Sequence, residues 1–410
     1  MNANYKDLYI QAGTVFSPGA PVNKKDLFAG RINELARAVE AINTRGHHAI
    51  IFGERGVGKT SIANILKEQL ESVGIKNIIV NKTNCSSSDN FRAIWQRSLG
   101  QVAYLAEEPT VGFESPSRQI DIPLSAGMPK RIGPDEIVNA FRNARIPIVF
   151  IFDEFDRITD NATQNLFADT MKSLTDNLLD ATLILVGVGE SIEQLIKSHE
   201  SIERSLIQIM IPRMDEEELN EIMNAALSTL GMKIDKESSE LVLRLSQGLP
   251  HYTHLIGLAS VRQALLTGSL HVMLGNVHSG IENAVKDAQH SIIKAYQDAT
   301  TSPYKGHLYK EVLLACALTQ GDEFGRFAAG DVRDPLREIT GKRKEIPAFA
   351  QHLKKFCSEE RGRILIKTGR KKNFRYYFRN PLLKPFVVIR GFVDGLLREG
   401  TINLIPSWKP

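Results

Sequence analysis

Nine consecutive residues, Gly53, Glu54, Arg55, Gly56, Val57, Gly58, Lys59, Thr60 and Ser61, have the types and spacing to hold a chain of phosphates. Glycines let backbone N–H groups turn inward around an anion, and a helix starting at the end of the run adds its positive dipole end. Lys59 would reach the outer two phosphates, and the Thr60 hydroxyl would hold a magnesium ion. Such a loop needs a strand before it and a helix after it. His48-Ala49-Ile50-Ile51-Phe52 is a short apolar run that reads as a buried strand, and Ser61 to Lys67 has helical spacing of its apolar residues. That context turns the G-x-x-x-x-G-K-[ST] pattern into a mechanism, and it implies a bound nucleoside triphosphate.

Hydrolysis requires a second strand that delivers carboxylates. Ile146-Pro147-Ile148-Val149-Phe150-Ile151-Phe152 is the most apolar run in the chain and empties onto Asp153-Glu154. Asp153 would hold the magnesium shell, and Glu154 would orient the attacking water, because phosphoryl displacement needs positioning more than covalent chemistry. The next residues, Asp156 and Arg157, continue the pattern or cap the following helix. A third apolar strand, Thr182 to Gly187, leads to Glu190 and Ser191, where a polar residue would sense the γ-phosphate. Ser191 also reads as a plain N-cap, and a carboxylate at Glu190 would be repelled by a triphosphate.

At 410 residues the chain is too long for one ordinary core, so two or three domains are expected. Three widely spaced cysteines, Cys85, Cys316 and Cys357, suit neither a disulfide framework nor a zinc site and point to a reducing compartment. A polar N-terminus and the lack of any long apolar run make a cytoplasmic protein the expectation, with no membrane partner. Charge is unevenly distributed. Residues 353–390 hold twelve Lys or Arg against two Glu, +10 of a whole-chain +4, which leaves −6 elsewhere.

Along the chain, residues 1–24 read as an extended N-terminal arm because Ser17-Pro18-Gly19-Ala20-Pro21 opposes regular structure. A nucleotide-binding α/β domain of three layers follows over 25–212. Its second strand is expected at Asn77–Val80, a helix from about Asn90, and a Pro- and Gly-rich structureless insertion over 106–134. From Asp215, a good N-cap followed by three glutamates, the pattern is helical through 213–300, with helices at Lys236–Ser246, Pro250–Leu266 and Val277–Ala299. Residues 301–410 form a last unit. Leu308–Leu318, a helix opened by Asp334-Pro335, and Pro347–Ser358 precede two strand-like runs, 363–367 and 374–379, separated by a tip carrying Arg370, Lys371 and Lys372. Three helices and a basic hairpin make a winged helix-turn-helix. Lys354 and Lys355, with Gln351 and His352, would face a DNA groove, and Arg370, Lys371 and Lys372 would grip phosphate. Winged helices also serve as protein-binding modules. Tyr376, Tyr377 and Phe378 alternate at strand spacing and read as packing residues.

With Leu27-Phe28-Ala29-Gly30-Arg31, the phosphate loop and Asp153-Glu154-Phe155-Asp156 in view, the chain resembles the AAA+ ATPases related to origin-recognition proteins. It resembles equally the STAND signalling ATPases and their bacterial relatives. The resemblance implies an AAA+-like P-loop NTPase domain, a helical lid and a C-terminal winged helix, with ATP and Mg2+ as ligands and a homo-oligomer formed with ATP. It puts Arg31 near the adenine or ribose and makes Arg204 an arginine finger aimed at a neighbouring subunit, set against an ordinary surface charge. Replication-type relatives carry an arginine at the start of the lid's third helix, where this chain has Gly248-Leu249-Pro250-His251. That form resembles STAND proteins, in which the proline, here Pro250, packs near the base, and it implies a slow, nucleotide-gated switch. His254, one turn on, reads as structural. The sequence thus implies an ATP-binding, slowly hydrolysing ATPase with a DNA-contacting winged helix. The second reading is a STAND-like signalling or defence ATPase whose C-terminal module binds a protein partner.

Overall fold

The computed structural model describes residues 3–19, 30–75, 78–108, 118–126, 128–129, 131–144, 147–188, 200–303, 306–322, 324–370, 373–397 and 405. Its first element corrects an expectation. Helix α1 (Ala3–Val15) stands where an extended arm was expected. Tyr5, Leu8, Tyr9, Ala12, Val15 and Phe16 recur at helical spacing, and Ala12, Val15 and Phe16 are buried. The Pro18 segment ends the helix rather than preventing it.

The elements that follow are α2 (Ile32–Asn43), β1 (His48–Gly53), α3 (Lys59–Ser72), β2 (Ile79–Asn84), α4 (Phe91–Gly100), β3 (Ala103–Glu108), β4 (Arg118–Pro123) and α5 (Pro134–Ala144). Then come β5 (Ile148–Asp153), α6 (Asn161–Asp176), β6 (Ala181–Gly187) and β7 (Leu206–Ile211). Five strands form one parallel sheet in the order β2-β5-β6-β1-β7. Alternation along each strand feeds two cores. Val149 and Ile151 of β5 join Ala49, Ile51, Ile184 and the α3 residues Ile62, Ile65 and Leu66 on one face. Phe150 and Phe152 join Trp95, Phe141 and Phe167 on the other. Trp95 lies 5.1 Å from Phe152 and 5.7 Å from Phe167 between ring centroids, so edge and stacked aromatic contacts fill this second core.

Two more expectations are corrected in this region. The second strand is longer and later than 77–80, because all six residues of β2 pair with β5 from Ile79↔Ile148 to Asn84↔Asp153. Part of the 106–134 insertion is ordered as a hairpin, with Ala103↔Pro123 through Glu108↔Arg118 paired. The period-two run Gln119-Ile120-Asp121-Ile122 is its sequence signal.

His48 opens β1 and is fully buried. Its Nδ1 accepts from the Leu183 N–H at 3.1 Å and its Nε2 faces the Met171 carbonyl at 2.9 Å, which fixes the neutral Nε2–H form. Burial pushes its pKa down to about 4. The unfolded chain, at about 6.5, takes up the proton first on acidification. Stability from this site is therefore full above about pH 6.5 and is lost towards pH 4, a change of about 3 kcal/mol. Denaturant unfolding at these two pH values is expected to show that loss, and His48→Gln to shrink it.

The helical stretch begins with α7 (Glu216–Thr229), capped by Asp215, whose carboxylate accepts from Glu218 N while Glu218 accepts from Asp215 N. Helices α8 (Lys236–Ser246), α9 (Pro250–Leu266), α10 (Leu274–Asp287) and α11 (His290–Thr300) follow. The expected single helix over 277–299 is split because Ala288 is extended, which turns α11 onto later elements. Helix α1 packs along α9. The last part contains α12 (Tyr309–Leu318), α13 (Arg333–Thr340), α14 (Ile346–Phe356), the antiparallel pair β8 (Leu365–Thr368) and β9 (Arg375–Phe378), and α15 (Leu383–Val393). Asp334 is inside α13 and does not cap it, because a tight turn at Ala329–Val332 leads the chain into the helix a residue earlier. Among the described residues no helix is long and apolar enough to cross a membrane.

Candidate active site

Parallel strands bring their C-terminal ends to one edge of a sheet, and ligands bind there. The loop after β1, Asp153 at the end of β5 and Gly187-Val188 at the end of β6 meet at this edge around a cavity of about 610 Å³. β6 lies between the two strands that carry the motifs, so its end faces both of them.

Gly58 adopts φ +100° as the N-cap of α3, which aims the first N–H groups of that helix at the cavity. Lys59 Nζ donates to the carbonyls of Gly53 at 2.9 Å and Glu54 at 2.7 Å. Burial pushes its pKa down to about 8, although Asp156, Asp153 and Glu54 oppose the shift. Thr60 and Ser61 line the cavity, Arg55 is exposed at its rim, and Val57 is buried beneath the loop.

Thr60 Oγ1 is 3.3 Å from Asp153 Oδ1. A hydroxyl and a carboxylate side by side are hard oxygen donors, the set that magnesium accepts. Asp153 Oδ1 also accepts from Glu154 N at 2.9 Å, and Oδ2 faces Lys82 Nζ at 3.1 Å. Glu154 borders the cavity with φ +55°, a left-handed conformation that costs a residue with a side chain about 1–2 kcal/mol. Its carboxylate lies 2.8 Å from Arg157 Nη1, an exposed pair that exchanges readily with water. Asp156 does not cap a helix. It accepts from Val188 N at 3.2 Å and ties β6 to this corner, while Asp160 caps α6.

Arg31 lines the cavity in a left-handed conformation, but its guanidinium is committed to the protein. It donates to the carbonyls of Val57 and Pro212 and lies 3.4 Å from Glu34 and 3.9 Å from Glu218. Its backbone N–H donates to Glu218 at 3.0 Å. The geometry makes Arg31 a tie between the loop and α7 at the cavity wall. Pro250 opens α9 at the cavity wall. His251 lies beside it with Nδ1 donating to the Pro18 carbonyl at 2.6 Å, and burial pushes its pKa below the usual imidazole value. His254 is buried edge-on to Phe16. Arg204 is exposed in a short 3-10 helix, Glu200–Ser205, just before β7. Glu190 and Ser191 lie outside the described residues.

Three features here escaped the sequence reading. Glu54, within the loop, pairs with buried Arg213 at 2.7 Å, and Arg213 also donates to Gln247 O at 3.0 Å. Leu382 covers the loop: a Cβ on Gly56, at φ +91°, would lie 2.7 Å from Leu382 Cδ2. Tyr252 of α9 donates to the Leu382 carbonyl. Lys384, two residues on, is buried, donates to Thr319 O at 2.9 Å, and has its pKa pushed down to about 7 by burial and by Arg213. A lysine inside the apolar run 382–389 was the available signal.

In the last unit, Lys354, Arg363, Lys367, Arg370, Arg375 and Arg379 are exposed. The +10 of this region overstates its surface. Arg361 and Lys384 are buried, Lys355 pairs with Glu360 at 3.2 Å, and Arg390 pairs with Asp394 at 3.0 Å. Lys371 and Lys372 lie outside the described residues. Tyr376 and Phe378 are buried, as strand spacing predicts.

Comparison with known proteins agrees with this geometry. Residues 28–186 match the family model described as an AAA ATPase domain. No curated protein matches the chain. The solved Walker-type ATPase of Pyrococcus abyssi is similar in fold, with a TM-score of 0.53 at 13% identity over 91% of this chain and 99% of that one. Cdc6p from Pyrobaculum aerophilum gives 0.49 at 15% identity, covering 94% and 99% of the two chains. The ORC1 protein of Aeropyrum pernix, solved in complex with DNA, gives 0.47 at 14%, covering 93% and 97%. A phosphate loop at the end of β1, an acid pair at the end of β5, and a family match spanning both give residues 28–186 a P-loop fold that matches the AAA ATPase domain.

Proposed function

We propose that the protein binds ATP with magnesium, hydrolyses it slowly, and uses the nucleotide to gate a C-terminal winged helix that contacts DNA. The observation that carries this reading is the contact of Leu382 with Gly56, which rests the C-terminal unit on the phosphate loop itself. A change in loop conformation on binding phosphate must then be felt by that unit. Residues 25–212 act as the ATPase domain, 213–300 as a helical lid and 301–410 as the winged helix.

In this mechanism the N–H groups of 56–60 wrap the phosphates, and Lys59 compensates their charge. Thr60 and Asp153 would hold magnesium, which would supply neutralisation of phosphate charge. Glu154, on leaving Arg157, orients the attacking water. Arg204, exposed, is supplied to a neighbouring subunit, where its planar charge stabilises the transferring phosphoryl group. Turnover is slow because His251, neutral and held by Pro18, brings no positive charge where replication-type relatives place an arginine.

DNA contact is assigned to Arg370, Lys371, Lys372, Lys354 and Lys355, with Arg375 and Arg379 as further exposed cations of the same unit. Three phosphate contacts predict that affinity for a generic duplex falls roughly 40-fold between 50 and 200 mM salt. Changing Arg370, Lys371 and Lys372 to Glu is expected to abolish binding, and ATP is expected to alter it. No duplex binding at low salt rejects the DNA part of the reading. A molecular size that is the same with and without ATP rejects the trans role of Arg204.

A further inference from the structure

Among the described residues, Lys82 is a charged group at the site that the proposed chemistry leaves unused. It stands on β2, outside the cavity lining, and reaches the metal-side carboxylate from behind, between β2 and α3. Its Nζ is 3.1 Å from Asp153 Oδ2 and donates to Asn64 Oδ1 at 2.6 Å. Asn64 lies one turn after Thr60 on α3, so Thr60, Asn64, Asp153 and Lys82 form a continuous polar strip. Lys82 and Asp153 share a sheet face because Lys82 pairs with Ile151, two residues before Asp153.

The ammonium is not needed to aim the carboxylate. Oδ1 is already held by the Thr60 hydroxyl and the Glu154 N–H. Asn64 keeps Lys82 beside Asp153 independently of the ion pair. A magnesium ion at Thr60 and Asp153 must therefore share its carboxylate with a tethered cation. Even at the dielectric constant of water, a double and a single positive charge about 5 Å apart repel enough to change affinity roughly tenfold.

We propose that Lys82 sets the magnesium requirement of this site, weakening metal binding at Asp153 by like charge and so holding the ATPase slow. Lys82 acts through Asp153 and does not touch nucleotide. The inference rests on the ATP-binding reading, with Thr60 and Asp153 as the metal-side pair.

The test is ATP binding by calorimetry to the full-length protein, in EDTA and across a series of free Mg2+ concentrations. For Lys82→Met, affinity in EDTA is expected to stay at the wild-type value, while the free Mg2+ giving half of the metal-dependent gain falls about tenfold. Lys82→Arg, which keeps the charge, is expected to behave as wild type. Lys82→Gln, which keeps a donor for Asp153, is the second neutral variant if the methionine variant folds poorly. A neutral variant that needs as much Mg2+ as wild type, or more, overturns the proposal, the latter outcome making Lys82 a residue that orients Asp153. Wild-type protein that binds ATP under neither condition overturns the ATPase reading and this inference with it. Wild-type binding that gains nothing from Mg2+, joined to a clear gain in Lys82→Met, supports the proposal in its strongest form.

Discussion

Replacing Lys59 by Ala is expected to reduce ATP affinity at least ~100-fold, since charge-assisted hydrogen bonds to two phosphates are lost from a desolvated site. The fold should survive, because the ammonium of Lys59 bonds only to carbonyls of its own loop, Gly53 and Glu54, among the contacts described. Wild-type affinity should also depend on pH in a defined direction. Burial holds the Lys59 pKa at about 8, and bound phosphates raise it, so binding above pH 8 takes up a proton. Affinity is then level from pH 7 to 8 and falls above 8, by up to about tenfold per pH unit. Lys59→Arg, charged throughout, should remove that fall. Calorimetric titration with ATP from pH 7 to 9.5 measures both effects, and a flat wild-type profile rejects the assignment of Lys59 to the phosphates. Glu154→Gln is the contrasting variant. It should keep ATP and lose its hydrolysis, because its carboxylate is assigned to water and not to binding.

Gly53→Ala is expected to damage the fold more than the chemistry. A Cβ at Gly53 would lie 2.3 Å from the backbone oxygen of Ile211 on the paired strand β7, at φ +157°. A backbone carbonyl inside a sheet cannot swing aside as a side chain can. The clash must be relieved by separating β1 from β7, at a cost of about 3 kcal/mol or more. Thermal unfolding should show the apparent melting temperature lowered by roughly 6–12 °C. Gly56→Ala is the control, since its Cβ meets only the tip of Leu382. It should cost less stability and act on the docking of the C-terminal unit. Equal melting temperatures for Gly53→Ala and wild type reject this account. The first glycine of the phosphate motif thus has a duty in sheet packing that its motif role does not express.

Much of the site was legible because its signals are local. The phosphate loop, Asp153-Glu154 after an apolar strand, the Asp215 cap and helices 236–246 and 250–266 follow from short-range rules of turn geometry, capping and period. Helix α1 was equally local, written in the spacing from Tyr5 to Phe16, and the proline beyond it drew attention away. Arg31 illustrates the opposite case. Its residue type suited a nucleotide contact, and the partners of its guanidinium, Glu34, Glu218 and two carbonyls, became visible only in the fold.

The sequence by itself determined the phosphate-loop motif, the α/β core and a basic C-terminal hairpin, because each depends on neighbours a few residues apart. Tertiary structure alone decided the strand order that sets β6 between the two motif strands, and the partners of the site's charges. Glu54 meets Arg213 across 159 positions, Lys82 meets Asp153 across two adjacent strands, and Leu382 meets Gly56 from the far end of the chain. Charge and apolar surface select no particular partner at long range. Only chain topology brings one lysine to Asp153 and one leucine to the loop.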